Sequence, residues 1–275
     1  MNRSFAPTGF GNVAYAERGK GHPALFVHGV FFNADIWQHQ LRELDDLRRC
    51  VAVDLLAHGQ SDCPPTGGLD VAAQARMILE VVDTLGFETF DLVGNDSGGA
   101  IAQLVVAASP NRVSSLVLTN CDTHDNWPPE AFQPLVDLAR EGALADVLTG
   151  LDLPTARASL ESGLEDVDFL SDAQVDAFFG PFRSRANAEA LQGYVATMDS
   201  GVTVAIRDEL ARFEAPTLIV WGTDDVFFDV AWARWLAATI PGTRRVVELE
   251  GARLFFPMER AAQFNEELRA FWGVS

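Results

Sequence analysis

The sequence predicts an α/β protein with a doubly wound, mostly parallel sheet and an inserted all-helical cap. Short β-rich runs alternate with amphipathic helical stretches, the alternation stops after Asn120, and it resumes near Thr217. Strands that alternate with helices are joined by crossover connections, which makes neighbouring strands parallel. Because the interruption contains only helical patterns, it predicts a cap over the sheet edge where such folds bind ligands.

The individual elements follow from their hydrophobic periods. Short β-rich runs predict strands at 13–17, 24–28, 50–55, 90–94, 113–120, 217–221 and 245–249. Amphipathic or helix-forming stretches predict core helices at 36–47, 71–85, 100–108 and 230–240, and cap helices at 131–140, 172–179 and 186–198. We therefore assign residues 1–122 and 214–275 to the core domain and residues 123–213 to the cap.

Composition limits the classes of function. The 275 residues are 48% hydrophobic and carry a net charge of −19, so a nucleic-acid backbone or an anionic membrane would be repelled. No apolar run reaches membrane-spanning length, the N-terminus lacks the pattern of a secretory signal, and three widely spaced cysteines favour reduced thiols. We expect a cytoplasmic protein with a small-molecule partner and without a metal or cofactor, and the oligomeric state is not predicted.

The most informative motif lies between residues 90 and 100. An apolar strand is followed by a turn with Asp96 at its centre, and a helical stretch follows the turn. Gly94 and Gly98, two positions before and after Asp96, permit a strand-to-helix turn that is too tight for a Cβ atom. The motif predicts a nucleophile elbow that exposes the Asp96 carboxylate at the mouth of the sheet, where the helix N-terminus favours an anion.

Four segments in this order resemble the α/β-hydrolase superfamily over nearly the whole chain: residues 26–30 with Trp37, Asp54 with residues 58–62, the elbow at 94–99, and residues 221–225. An aspartate at the elbow is similar to the haloalkane dehalogenase and epoxide hydrolase branches. The resemblance implies that Asp96 attacks carbon to form an alkyl-enzyme ester, which a histidine-activated water then hydrolyses.

The resemblance also implies roles for three other positions. Asp225, three residues past the glycine of the Trp-Gly strand, would be the acid that orients the catalytic histidine. The backbone N–H groups of Val30 and Ser97 would form the oxyanion hole above Asp96.

The chain departs from this family where the catalytic histidine is expected. The last family segment, normally Gly-x-Gly-His, reads Gly-Ala-Arg-Leu at 251–254, so Leu254 takes the histidine position, and no histidine follows His124. Without a general base near the ester, a covalent intermediate should persist. Subfamily marks are missing too: Val30 and Ser97 stand where dehalogenases carry halide donors, and Tyr194 is the one tyrosine of the cap segment.

Other groups could take over from the missing histidine. His124, at the entrance to the cap, could turn toward Asp96 as a substitute base, with a solvent-facing loop position as the alternative. Asp122 could serve as a displaced acid. Arg253 could hold Asp225 or reach a substrate carboxylate, with solvent again as the alternative.

Seven residues around these positions are predicted to contact a substrate. For the aromatic ones ordinary core packing is the alternative, and for the histidine the alternative is a structural hydrogen bond that fixes its loop. The seven are His28, Phe31, Asn33, Trp127, Arg253, Leu254 and Phe255.

Three functional hypotheses follow. The leading one is an enzyme that acts on a small apolar molecule with Asp96 as nucleophile or as general acid/base, since burial raises and oxyanion amides lower the pKa of such a carboxyl. The second is a hydrolase in which His124 replaces the base. The third is a catalytically silent binding protein that has kept the pocket and lost turnover.

Overall fold

A computed structural model describes residues 1–63 and 68–273. The strands are β1 (Ser4–Thr8), β2 (Gly11–Arg18), β3 (Pro23–Val27), β4 (Arg49–Val53), β5 (Phe90–Asp96), β6 (Val113–Cys121), β7 (Thr217–Gly222) and β8 (Thr243–Leu249). They form one sheet in the order β1-β2-β4-β3-β5-β6-β7-β8. β1 pairs with β2 and β2 with β4 in antiparallel fashion, and all other pairs are parallel.

Helices cover the sheet and fill the segment between β6 and β7. They are α1 (Gln38–Glu43), α2 (Val71–Thr84), α3 (Ser97–Ala108), α4 (Gln133–Arg140), α5 (Leu144–Thr149), α6 (Leu153–Ser159), α7 (Asp172–Phe179), α8 (Arg185–Ala196), α9 (Gly201–Ala205), α10 (Arg207–Leu210), α11 (Ala231–Thr239), α12 (Phe256–Glu259) and α13 (Ala261–Trp272). Short 3₁₀ turns lie at Ala34–Trp37, Pro110–Arg112, Glu130–Phe132, Glu161–Gly163, Val167–Phe169 and Gly180–Arg183.

The central strand shows why the sequence forms this sheet. All seven residues of β5 are buried, because its parallel neighbours β3 and β6 and the covering helices leave neither face to solvent. Its carboxyl end carries Asp96 directly into α3. The predicted α/β class with a doubly wound, mostly parallel sheet is confirmed, and α4 to α10 occupy the segment predicted to be the helical cap.

The helices α5, α6, α9, α10, α12 and α13 were not among those predicted, and two elements of the N-terminal part also differ from the prediction. The stretch 36–47 is divided: a 3₁₀ turn begins at Ala34, where the Asn33 side chain accepts a hydrogen bond from the Asp35 N–H, and α1 ends at Glu43. Strand β1 was not predicted. This edge strand buries only Ala6, so it lacks the alternation of apolar and polar residues that predicts a strand. It also contains Pro7, which an edge strand tolerates but which argues against a strand in the sequence.

Among the helices that the structure describes, none is both long and apolar enough to cross a bilayer.

Candidate active site

The elbow is built as the glycine spacing predicts. Asp96 ends β5 and precedes α3 with φ 56°, a left-handed conformation that is rare for a residue with a side chain. A Cβ atom on Gly94 would lie 2.6 Å from the Gly98 carbonyl oxygen, and one on Gly98 would lie 2.3 Å from that of Val27. Both positions therefore require glycine, because backbone atoms occupy the space of any side chain.

The Asp96 carboxyl is buried against the loop after β3. It is 8% exposed, and a Cβ atom on Gly29 would lie only 1.9 Å from Asp96 Oδ2. Burial, followed by the negative charge of Asp225, raises the pKa of Asp96 to about 7, whereas the backbone N–H groups of Ser97 and Val30 lower it. The carboxyl can therefore take up and release a proton near neutral pH.

A cavity of about 390 Å³ lies above this carboxyl, between the sheet and the cap. Its wall is mainly aromatic and aliphatic, and cap residues such as Leu148 and Leu160 close one side. Seven of the predicted site residues lie on the wall: Val30, Phe31, Asp96, Ser97, Trp127, Leu254 and Phe255. The size and apolar character of the cavity suit a small organic molecule.

Leu254 presents an apolar side chain to the cavity where the family would place an imidazole. It is 4% exposed, and its backbone oxygen accepts a hydrogen bond of 3.1 Å from Asn95 Nδ2, which fixes the loop against the elbow. No histidine lies on the cavity wall, and all five histidines of the chain belong to the described residues. Asn95 was not predicted, since nothing in the sequence pairs it with a loop far along the chain.

His124 does not lie on the cavity wall, where a substitute base would have to be. Its ring stacks on Trp235 with centroids 4.6 Å apart, and its backbone oxygen accepts a hydrogen bond from the Thr203 hydroxyl. The structure therefore packs the ring against α11 and does not bring it to the site that contains Asp96.

Three residues predicted to contact a substrate, His28, Asn33 and Arg253, do not lie on the cavity wall, and their side chains make structural hydrogen bonds. In His28, Nδ1 lies 2.7 Å from the Gly29 oxygen and Nε2 accepts a hydrogen bond from the Leu55 N–H, while burial keeps the pKa well below the usual histidine range. The amide of Asn33 caps the 3₁₀ turn at Ala34–Trp37 and donates to the Ala177 carbonyl of the cap.

Arg253 neither holds Asp225 by hydrogen bonds nor faces the cavity. Its guanidinium donates to the carbonyl oxygens of Glu161 and Leu164 at 3.2 and 2.9 Å. The neighbouring Phe255 N–H donates to the Gly163 oxygen at 3.1 Å. The loop around Arg253 therefore fastens the cap to the core.

Asp225 has a partner that the sequence did not reveal. Asn120, at the end of β6, donates from Nδ2 to Asp225 at 2.6 Å, and the Phe227 N–H donates to the other carboxylate oxygen at 2.8 Å. Burial raises the pKa of Asp225 to about 6, although these two donors lower it. Asp225 does not lie on the cavity wall, and its side-chain partner is the Asn120 amide. It influences the site through its negative charge, which raises the pKa of Asp96.

A buried polar group also lies on the cavity wall beside Asp96. Asp122 is 2% exposed, and its Oδ1 has no hydrogen-bond partner, whereas the hydroxyl of Ser97, which is 1% exposed, acts on the neighbouring Tyr194 hydroxyl. Burial and the charges of Asp96 and Asp225 raise the pKa of Asp122 well above its ordinary value. The cap residue Tyr194 is fully buried nearby, and burial and the Asp122 charge raise the pKa of its hydroxyl.

Comparison with known proteins agrees with this architecture. The chain is 31% identical over 261 residues to haloalkane dehalogenase 2 of Mycobacterium tuberculosis, covering 89% of this chain and 86% of that protein. It is 27% identical over 270 residues to monoacylglycerol lipase abhd6-A of Xenopus laevis, covering 94% and 79%. A solved structure described as Est816, an N-acyl homoserine lactone degrading enzyme, superposes with a TM-score of 0.76 at 26% identity, covering 98% of this chain and 100% of that one.

The model of one family matches most of the chain, from residue 23 to residue 259, and is described as the alpha/beta hydrolase fold. The mostly parallel eight-stranded sheet agrees with that description. This protein belongs to the α/β-hydrolase fold family and is a hydrolase-like enzyme.

Proposed function

We propose that the protein moves protons on a small, neutral, largely apolar molecule and that Asp96 is its general acid/base. The observation that carries this proposal is a buried carboxyl on the wall of an apolar cavity that contains no imidazole. A general base works best when its pKa lies near the working pH, and the pKa of Asp96 is raised to about 7.

Ester hydrolysis is less well supported by the same geometry. Water must be deprotonated by a base within hydrogen-bond distance to attack an alkyl-enzyme ester. Leu254 offers no such group, His124 is stacked on Trp235, and Asp225 is held by Asn120 away from the cavity wall. A proton transfer by Asp96 itself needs no activated water.

One second candidate is the nucleophilic route, in which Asp96 forms an alkyl ester that persists. Two observations favour it: the N–H groups of Val30 and Ser97 act on the Asp96 carboxyl, and a relative at 31% identity is named as a haloalkane dehalogenase. The ester would accumulate because the base is missing.

The proposed proton transfer is tested by hydrogen exchange. We would incubate the protein in D₂O with a panel of small neutral ketones and follow loss of the α-proton signals by NMR. Asp96→Asn should lower the exchange rate at least about 100-fold, the usual contribution of a general base. Asp125→Asn, the same change at an exposed position, is the matched control.

Adduct formation separates the candidates. Intact mass spectrometry after incubation with haloalkanes and epoxides should show no mass increase for wild type if Asp96 only transfers protons. A stable adduct on Asp96 that Leu254→His hydrolyses would support the nucleophilic route instead. Ligand binding without exchange or adduct in wild type, unchanged by Asp96→Asn, would show a silent binding protein.

A further inference from the structure

We infer that Asp122 is the second proton-transfer group of the site, and that the substrate is a neutral carbonyl compound whose oxygen binds the Asp122 carboxyl. The inference rests on the proposed role of Asp96 and extends it by naming a partner acid and a substrate class.

The position of Asp122 follows from the strand register. Cys121, the last residue of β6, pairs with Asp96 on the neighbouring strand β5, so Asp122 begins the adjacent loop at the same sheet edge. Its backbone oxygen is held by Gln103 Nε2 at 2.8 Å, whereas its side chain lies on the cavity wall. Asp122 and Asp96 therefore reach one molecule in the cavity from neighbouring strands.

Unpaired polar atoms on the wall indicate that a polar ligand group belongs there. Asp122 Oδ1 and Trp127 Nε1 are buried without a hydrogen-bond partner, and both residues line the cavity. A buried polar group without a partner destabilises the folded protein, so its position on a cavity wall indicates that it binds a polar group of a ligand. A ligand oxygen that accepts hydrogen bonds is the group that a protonated carboxyl or an indole N–H would bind.

Burial and the surrounding negative charges favour the protonated form of the Asp122 carboxyl. The ionisable groups that act on it or respond to it are Asp96 on β5, Asp225 after β7, Tyr194 on α8 and Cys121 beside it, and none of these is a cation. Burial and the charges of the two aspartates raise the pKa of Asp122, which favours the protonated carboxyl, a hydrogen-bond donor. No lysine or arginine lies on the cavity wall, which disfavours an anionic substrate.

The two carboxyls complete a balanced proton transfer. The Asp96 carboxylate takes the proton from the carbon next to the carbonyl, and the C–H electron pair forms the new carbon–carbon double bond. The carbonyl π pair moves to oxygen, which takes the Asp122 proton, so the enol leaves Asp96 neutral and Asp122 ionised. In the reverse step, the enol returns its O–H proton to Asp122 and carbon takes the proton from Asp96. Both carboxyls then regain their starting forms, and the product is the ketone or an isomer of it.

The test compares two probes of the same shape, acetophenone and α-methylstyrene, which differ by an oxygen in place of a CH₂ group. Calorimetry gives the Kd of each for wild type, Asp122→Leu, Asp122→Asn and the exposed control Asp125→Asn. In Asp122→Leu the preference for acetophenone should fall about tenfold, as expected for one lost hydrogen bond. Asp122→Asn keeps an N–H donor and should keep the preference, but its α-proton exchange should fall at least about 100-fold.

Each outcome decides a separate claim. An unchanged preference in Asp122→Leu, or wild-type protein that binds neither probe, overturns the inference. Wild-type exchange in Asp122→Asn overturns the role of Asp122 as proton donor. A preference that depends on Asp122 without any exchange in wild type leaves the substrate class standing and refutes the proposed function of Asp96 instead.

Discussion

Replacing Asp96 with asparagine should make the protein more stable, and the gain should grow with pH. Unfolded chain ionises this carboxyl near pH 3.8, whereas the folded protein keeps the proton to about pH 7. Between these two values the folded state binds more protons, so its stability falls as the pH rises, and the whole penalty is present above pH 7. At 1.36 kcal/mol for each pH unit, the penalty amounts to about 4 kcal/mol.

Asparagine has the shape of aspartate without its charge, so Asp96→Asn removes this penalty. The variant should exceed wild type in free energy of unfolding by about 2 kcal/mol at pH 5 and about 4 kcal/mol at pH 8. Urea denaturation of both proteins at several pH values measures the difference, and exposed Asp125→Asn should show almost none. A difference that stays constant from pH 5 to pH 8 would refute the reasoning, since it would mean that Asp96 ionises at an ordinary pH.

Three further predictions concern the groups around this carboxyl. Gly29→Ala places a Cβ atom 1.9 Å from Asp96 Oδ2 and should cost about 1–3 kcal/mol in urea denaturation, a loss that the double variant with Asp96→Gly should largely recover. Asp225→Asn removes the negative charge that raises the pKa of Asp96, so the midpoint of the Asp96 titration should move to lower pH; a midpoint that rises or stays would contradict this. Arg253→Ala removes two hydrogen bonds to cap carbonyls and should speed proteolysis within the cap, whereas exposed Arg212→Ala should not.

Local chemistry made the elbow predictable from the sequence. Gly94 and Gly98 predict a tight turn, because backbone atoms leave no room for a Cβ atom at either position. The alternation of strands and helices predicts the sheet that carries this turn. The spacing of the two glycines places Asp96 at the centre of the turn. The sequence also shows that no histidine follows His124, so the segment at 251–254 supplies no imidazole.

Long-range contacts decided what the sequence could not predict. In the sequence, Arg253 is a candidate partner for Asp225, but in the structure it donates to cap carbonyls about 90 residues away. The His124 ring stacks on Trp235, which lies on a helix far along the chain. Asn120, the partner of Asp225, looks like an ordinary strand residue until β6 and β7 are placed side by side. Such pairings depend on tertiary packing, which local propensity does not encode.

The central claim is that a buried Asp96 carboxyl holds its proton to near-neutral pH beside a cavity without an imidazole. Difference infrared spectroscopy between wild type and Asp96→Asn, recorded over a pH titration, measures this directly from the carbonyl band of the protonated acid. The account predicts that the Asp96 band persists at pH 5 and disappears with a midpoint near pH 7. A carboxyl that is already ionised at pH 5 would contradict it.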